Sequence, residues 1–441
     1  MARRRSRRLL RSAVPATPLD HDDLLGQILL RLPPSPSSLL RASLVCKRWR
    51  RVISGPYFLR SFRAHHRKAP LLGFLFQNHI GADIGFTPAL DPPDRIAEAR
   101  FTLQVRGYCF LGCRHGRVLA VDWDKHNILV WDPVTGHQLC LAAPSALRAV
   151  DTPSDRMNGA VICAATDRGH THGACHSSPF QVVMVGTRWE GLSACIYSSE
   201  TSSWGNAISM PWQSLFPVEQ IVHPFIPISL KSTMLGSHIC WLLMGPTGAA
   251  ILQFDLYMQS FAVIEVPPGS YDNLAFAHGK CQFLVTRTDA GGIGFLVLSE
   301  SSIRLWKRNV NSDGVTGWLL GNTVELSSLL FLSLDVYMKR PMIVGYAEDD
   351  NVIVLRTEGG VFMLQLETLQ FNKLLSRMDQ HRPTYLPFTS FYPADSFLNV
   401  KKRSSDPVAL AQEILDEAHP WALSRFSKMR AVINPRRLPE S

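Results

Sequence analysis

Residues 19–53 read LDHDDLLGQILLRLPPSPSSLLRASLVCKRWRRVI. Leu24, Leu25, Ile28, Leu29 and Leu32 fall at i, i+1, i+4, i+5 and i+8, a single apolar stripe along a helix. Asp20, Asp22 and Asp23 stand where the first N–H groups and the helix dipole favour carboxylates. Pro33-Pro34 stops that helix, and Ser35 with Pro36 opens a second one lined by Leu39, Leu40 and Leu44. Cys46, Trp49 and Ile53 repeat at i, i+3 and i+7 in a third, with Lys47, Arg48, Arg50 and Arg51 on its other faces. Three short helices in about 45 residues, with no disulfide or metal to staple them, are too few to cover this much Leu, Ile and Trp. The surplus apolar surface either packs on the rest of the chain or docks another protein, with Trp49 and the leucines as anchors.

This stretch resembles an F-box. Leu19, Leu24, Leu25, Ile28, Leu32, Pro33, Leu39, Val45, Cys46, Lys47 and Trp49 fall in order on that family's pattern. Asp20 replaces its usual Pro, and Gln27 stands where an acid is frequent. The resemblance implies a three-helix domain over residues 19–63 that uses those eleven residues to bind a Skp-type adaptor, and through it a cullin-based ubiquitin ligase.

Charge is concentrated in the same end of the chain. Residues 1–68 hold sixteen Lys or Arg against three Asp, more than the whole chain's net +10, so the remainder is faintly acidic. A nucleic-acid protein needs its basic stripe beside readout residues on a folded face, and the body offers none. Nucleic acid is therefore an unfavoured partner, kept as the alternative of a nuclear scaffold acting through the Arg-rich end. Residues 1–18 read as a disordered basic tail whose RRRSRR is an import signal, a nucleic-acid clamp or a solvated run. With nine scattered Cys, no sequon and no apolar leader after MARRRSRRLL, the expectation is a reducing compartment, nucleus or cytoplasm. The uncharged run 232–254, apart from Lys231 before it and Asp255 after it, is broken by Gly236, His238 and Gly245-Pro246-Thr247-Gly248. It reads as two strands of a soluble protein rather than a membrane span.

Beyond Pro70 the period changes to short strands. Residues 116–123 and 126–132 flank one polar turn, and residues 352–357 and 361–366 flank Glu358-Gly359-Gly360. These strands are apolar on both faces, as stacking on both sides demands. A strand end followed by a polar turn recurs at VWDPVTG (130–136), IYSSETSSW (196–204), QFDLYMQSF (253–261), RLWKRN (304–309) and LQLETLQF (364–371). Taking Trp131, Tyr197, Phe254, Trp306 and Leu366 as equivalent, the steps are 66, 57, 52 and 60 residues. Four strands fit in each, which suits a β-propeller of about six blades (six to eight) better than a solenoid; a pair of β-sandwiches is the alternative. With LGCRHGRVL (111–119) and PFTSFYP (387–393), these stretches resemble the kelch-like propeller that follows many plant F-boxes, over residues 70–395. Residues 405–433 return to helix, capped by Asp406 and opened by Pro407, and pack on the propeller or meet a partner.

The fold class expected is mainly β with helical ends. No Ser elbow, HExxH helix, phosphate-cradling loop or paired carboxylates appear, so no catalytic residue and no cofactor is assigned. Asp132, Asp255 and Glu367 recur at equivalent turns, where turn capping accounts for them. His170, His172, Cys175 and His176, with Cys163 as nearest recruit, have metal-ligand chemistry but sit in one Gly-rich loop, and closed sites usually draw on two separated pairs. They read as a polar surface loop, with no metal assigned. Cys109, Cys113 and His115 read as core.

Overall fold

The computed structural model describes residues 21–391 except 80, 123, 149–156, 168–169, 189, 216–223, 228–230, 246–247, 271–281, 289–290, 300–301, 311–315, 327–340, 358 and 376–383. The basic tail, Leu19, Asp20 and the helical reading of 405–433 lie outside these residues. The chain divides into a helical unit, residues 1–70 with 391–441, and a β unit, Leu71–Ser390.

Among its described residues the helical unit contains four helices where three were expected over residues 19–63: α1 (Asp22–Leu29), α2 (Pro36–Val45), α3 (Lys47–Ile53) and α4 (Pro56–His66). The fourth follows Gly55, has Pro at its first position and ends where Arg67 turns left-handed at φ 60°. Its Phe58 and Phe62, four residues apart, close over Leu25, Ile28, Leu29, Leu32, Val45, Trp49 and Ile53 in one core, joined by Ala69 and Phe391. This corrects the premise that the unit cannot hide its own apolar stripe; α4 supplies the missing cover. The anticipated side-chain caps are absent too. His21 and Ser35 occupy the N-cap positions of α1 and α2 without a side-chain cap bond, and Asp22 is committed elsewhere.

The β unit is a six-bladed propeller. Blade I comprises β3 (Tyr108–Arg114), β4 (Arg117–Asp122), β5 (Asn127–Trp131) and β6 (Gln138–Ala142). Blade II comprises β7 (Met157–Cys163), β8 (Phe180–Thr187), β9 (Gly191–Ser198), β10 (Ser203–Trp204) and β11 (Ile208–Pro211). Blade III comprises β12 (Thr233–Leu235), β13 (His238–Met244), β14 (Ala249–Asp255) and β15 (Ser260–Glu265). Blade IV comprises β16 (Gln282–Arg287), β17 (Ile293–Leu298), β18 (Ser302–Val310) and β19 (Thr316–Glu325). Blade V comprises β20 (Met342–Ala347), β21 (Val352–Thr357), β22 (Gly360–Gln365) and β23 (Phe371–Leu375). Blade VI joins the two ends of the unit: β24 (Thr384–Thr389) pairs β1 (Leu71–Gln77), which pairs β2 (Ile84–Pro88). Strand β24 lies beside both β20 and β3, closing the ring.

The five repeat anchors, Trp131, Tyr197, Phe254, Trp306 and Leu366, all lie on or directly after the third strand of successive blades. Side-chain alternation explains why the strands are apolar on both faces. On β8, Val182 and Met184 face blade I while Val183 and Val185 face blade III. On β13, Ile239, Trp241 and Leu243 face blade II while Cys240, Leu242 and Met244 face blade IV. At Gly73 of β1 a Cβ would stand 2.3 Å from the Thr87 carbonyl oxygen, so blade VI requires glycine there. Among the described residues no helix is long and apolar enough to cross a membrane.

Two buried polar groups tie the ring. Gln77 of β1 donates to the carbonyls of Ala82 (2.8 Å) and Tyr108 (2.7 Å) and accepts from Phe110 N–H (3.3 Å), welding blade VI to blade I. Arg114, at the end of β3, makes a two-pronged ion pair with Glu348 after β20, with Nη2 to Oε2 at 2.9 Å. The same guanidinium reaches the carbonyl of Ser232 at 3.0 Å, and Glu348 accepts Met234 N–H at 2.8 Å. Blades I, III and V are thus joined by one bonded cluster.

Candidate docking site

Burial sorts the residues expected to hold the adaptor. Leu25, Ile28, Leu32, Val45 and Trp49 (5% exposed) lie inside the helical unit, so they shape its surface and do not stand on it. Leu39 is half-buried against that core. Leu24 on α1 is 41% exposed, and Pro33, Cys46 and Lys47 are exposed as well. The sequence pattern missed two exposed apolar side chains, Leu44 (40%) on α2 and Tyr57 (79%) on α4. Leu44 was read as lining the second helix beside Leu39 and Leu40, and the helix turns it outward.

Asp22 bridges α1 to α3 at the surface. Its carboxylate accepts from Arg48 Nε at 2.7 Å and from Arg51 Nη2 at 3.3 Å. The Arg48 hydrogen bond, reinforced by both positive charges, holds the Asp22 carboxyl below its usual range. The helical unit thus exposes a few large apolar side chains and also cations such as Lys47 and Arg50.

In the ring, the candidate carboxylates serve the turns. Asp132 Oδ1 accepts the N–H groups of Val134 (2.9 Å) and Thr135 (3.2 Å), and Asp255 Oδ1 those of Tyr257 (2.8 Å) and Met258 (2.9 Å). In blade V Gln365 does this work, accepting Glu367 N–H at 3.2 Å, while Glu367 takes a bond from Asn351. The metal-like run splits. His176 Nδ1 bonds Asp132 Oδ2 at 2.8 Å, whereas His170, His172 and Cys175 converge with Cys163 at the end of β7. Cys109 is core, as read, but His115 is not: its ring stacks on His172 with centroids 3.7 Å apart.

Residues 22–64 match the F-box-like family, and residues 109–394 match the family described as F-box protein AT5G49610-like, beta-propeller. The chain belongs to that family of F-box propeller proteins. It is also 30% identical over 198 residues to the F-box/kelch-repeat protein At3g61590 of Arabidopsis thaliana, covering 43% of this chain and 45% of the relative. The chain thus matches under half the length of that curated relative. Among solved structures, TolB from Acinetobacter baumannii is 10% identical with a TM-score of 0.37, covering 76% of this chain and 72% of that one. The nidogen/laminin complex is 11% identical with a TM-score of 0.38, covering 72% and 98%. At that level of similarity these structures bear on neither site nor activity.

Proposed function

We propose that this protein is a substrate-recognition subunit of a Skp–cullin–F-box ubiquitin ligase. The observation that carries the reading is the family match over 22–64 joined to exposed leucines on α1 and α2 of the matched helices. The helical unit grips a Skp-type adaptor and the propeller's loops hold a target protein. The chain itself breaks no bond; it raises the effective concentration of the target's lysines near the ubiquitin-charged enzyme. It acts in the nucleus or cytoplasm, where such adaptors meet their targets.

The test is co-purification of the full chain with a Skp-type adaptor. Leu24→Asp with Leu44→Asp changes surface and not core, so folding is kept while binding falls by about 2 kcal/mol or more, roughly 30-fold. Undiminished capture of the adaptor by that double variant would overturn the reading. Raising salt should weaken the complex only modestly, because apolar contact dominates it. A steep salt dependence, with nucleic acid in place of the adaptor, would favour the scaffold alternative.

A further inference from the structure

We infer that Cys163, His170, His172 and Cys175 form a closed Cys2His2 site for one Zn²⁺, which organises the long connection between β7 and β8. The four ligand atoms lie within 4.8 Å of one another. His170 Nε2 stands 3.3 Å from Cys163 Sγ and 3.3 Å from Cys175 Sγ, and His172 Nδ1 stands 3.6 Å from Cys175 Sγ. Sulfur and nitrogen ligands at ordinary zinc bond lengths on a tetrahedron are about 3.6 Å apart. The side chains therefore already stand at nearly the spacing that the ion sets.

The connection needs such an organiser. In the other blades formed by consecutive strands, the first and second strands are joined by residues 115–116, 236–237, 288–292 and 348–351; in blade II the join is residues 164–179. Its described residues form no helix or strand, and structureless connections of that length are uncommon in compact domains. Gly173, at φ 104°, turns the chain between His172 and Cys175. Cys175 is fully buried although it sits in a loop of mostly polar residues and glycine.

The surroundings are built toward the cluster from several elements. His115, in the β3–β4 turn, accepts Cys163 N–H on Nδ1 at 2.9 Å and lays its ring on that of His172. Arg117 of β4 donates one Nη2 to the carbonyls of Cys175 (2.6 Å), His176 (3.2 Å) and Ser178 (2.8 Å), which brings a positive charge close to the thiolates. Ser390 Oγ bonds the Gly173 carbonyl at 3.0 Å, and Asp132 holds His176 away from the ligand set. Two thiolates and two imidazoles in tetrahedral array select zinc over hard, oxygen-seeking cations, and four protein ligands leave no open position for catalysis.

The test measures metal in the full chain, purified under reducing conditions without added metal. Expected are about one zinc per chain and, with Co²⁺ exchanged in, tetrahedral d–d bands with thiolate-to-cobalt charge transfer. Cys163→Ser or His172→Ala should lower zinc content about tenfold or more, His115→Ala should weaken affinity about 10–100-fold, and His176→Ala should leave the zinc in place. Should the cysteine variant fail to fold, the cobalt spectrum of the unaltered chain decides. A folded, zinc-free chain lacking those bands, a Cys163–Cys175 disulfide in fresh protein, or a zinc loss in His176→Ala equal to that in His172→Ala would each overturn the assignment.

Discussion

The helical unit and the ring solve the same problem, hiding apolar side chains, in opposite ways. The helices have one small core to which every element contributes a few side chains, and large apolar groups such as Leu24, Leu44 and Tyr57 remain outside. In the ring each blade is covered on both faces by its neighbours, and inter-blade cores such as those around Trp241 and Phe295 share no member. A small unit has surface to spare, whereas a closed ring spends its apolar surface on itself.

That contrast can be broken at defined points. The largest effect is expected from Trp49→Ala, about 3–5 kcal/mol from the helical core. Hydrogen exchange should show lost protection across residues 21–69 and unchanged protection in β8 and β13; loss in both would mean the two cores are not separate. Arg114→Ala should cost the ring about 3 kcal/mol by stranding Glu348, seen as a lower denaturant midpoint, whereas replacing both partners by Met should recover most of it. Lys231 sharpens the comparison. Burial pulls its ammonium down to about 8. Because the folded state releases that proton before the unfolded chain does, the lysine opposes folding near neutrality and its penalty fades as pH rises from about 8 toward 10.5. Lys231→Met should therefore raise the midpoint at pH 7 and flatten that alkaline rise. The smallest effect belongs to Asp22→Ala, whose partners are exposed arginines; the melting midpoint should barely move, with its salt dependence reduced.

Much of this architecture was legible in the sequence because it is local. Helical spacing marked α1 to α3, and the aromatic or apolar anchors from Trp131 to Leu366 marked a third strand in each of five blades. Turn carboxylates were read correctly at Asp132 and Asp255, where the acceptor lies two or three residues from its donors. What escaped depends on partners far apart in the chain. Nothing near Arg114 announces Glu348, and although Cys163 was named as the nearest recruit to the run from His170, its spacing alone does not say that the loop returns to it. The fourth helix was missed for another reason: Phe58 and Phe62 sit in a segment rich in Arg and His, whose mean composition masks a narrow apolar stripe. With that helix unread, Trp49 was offered as an anchor that a partner would bury; the unit's own core buries it.

The ring is fastened by pairing its first two strands with its last. A ribosome delivers β1 hundreds of residues before β24, so throughout synthesis the outer blade is an unlatched hairpin waiting for its clasp. Phe391, which completes the helical core, follows directly after that clasp. The ring's clasp and a late member of the helical core therefore emerge together.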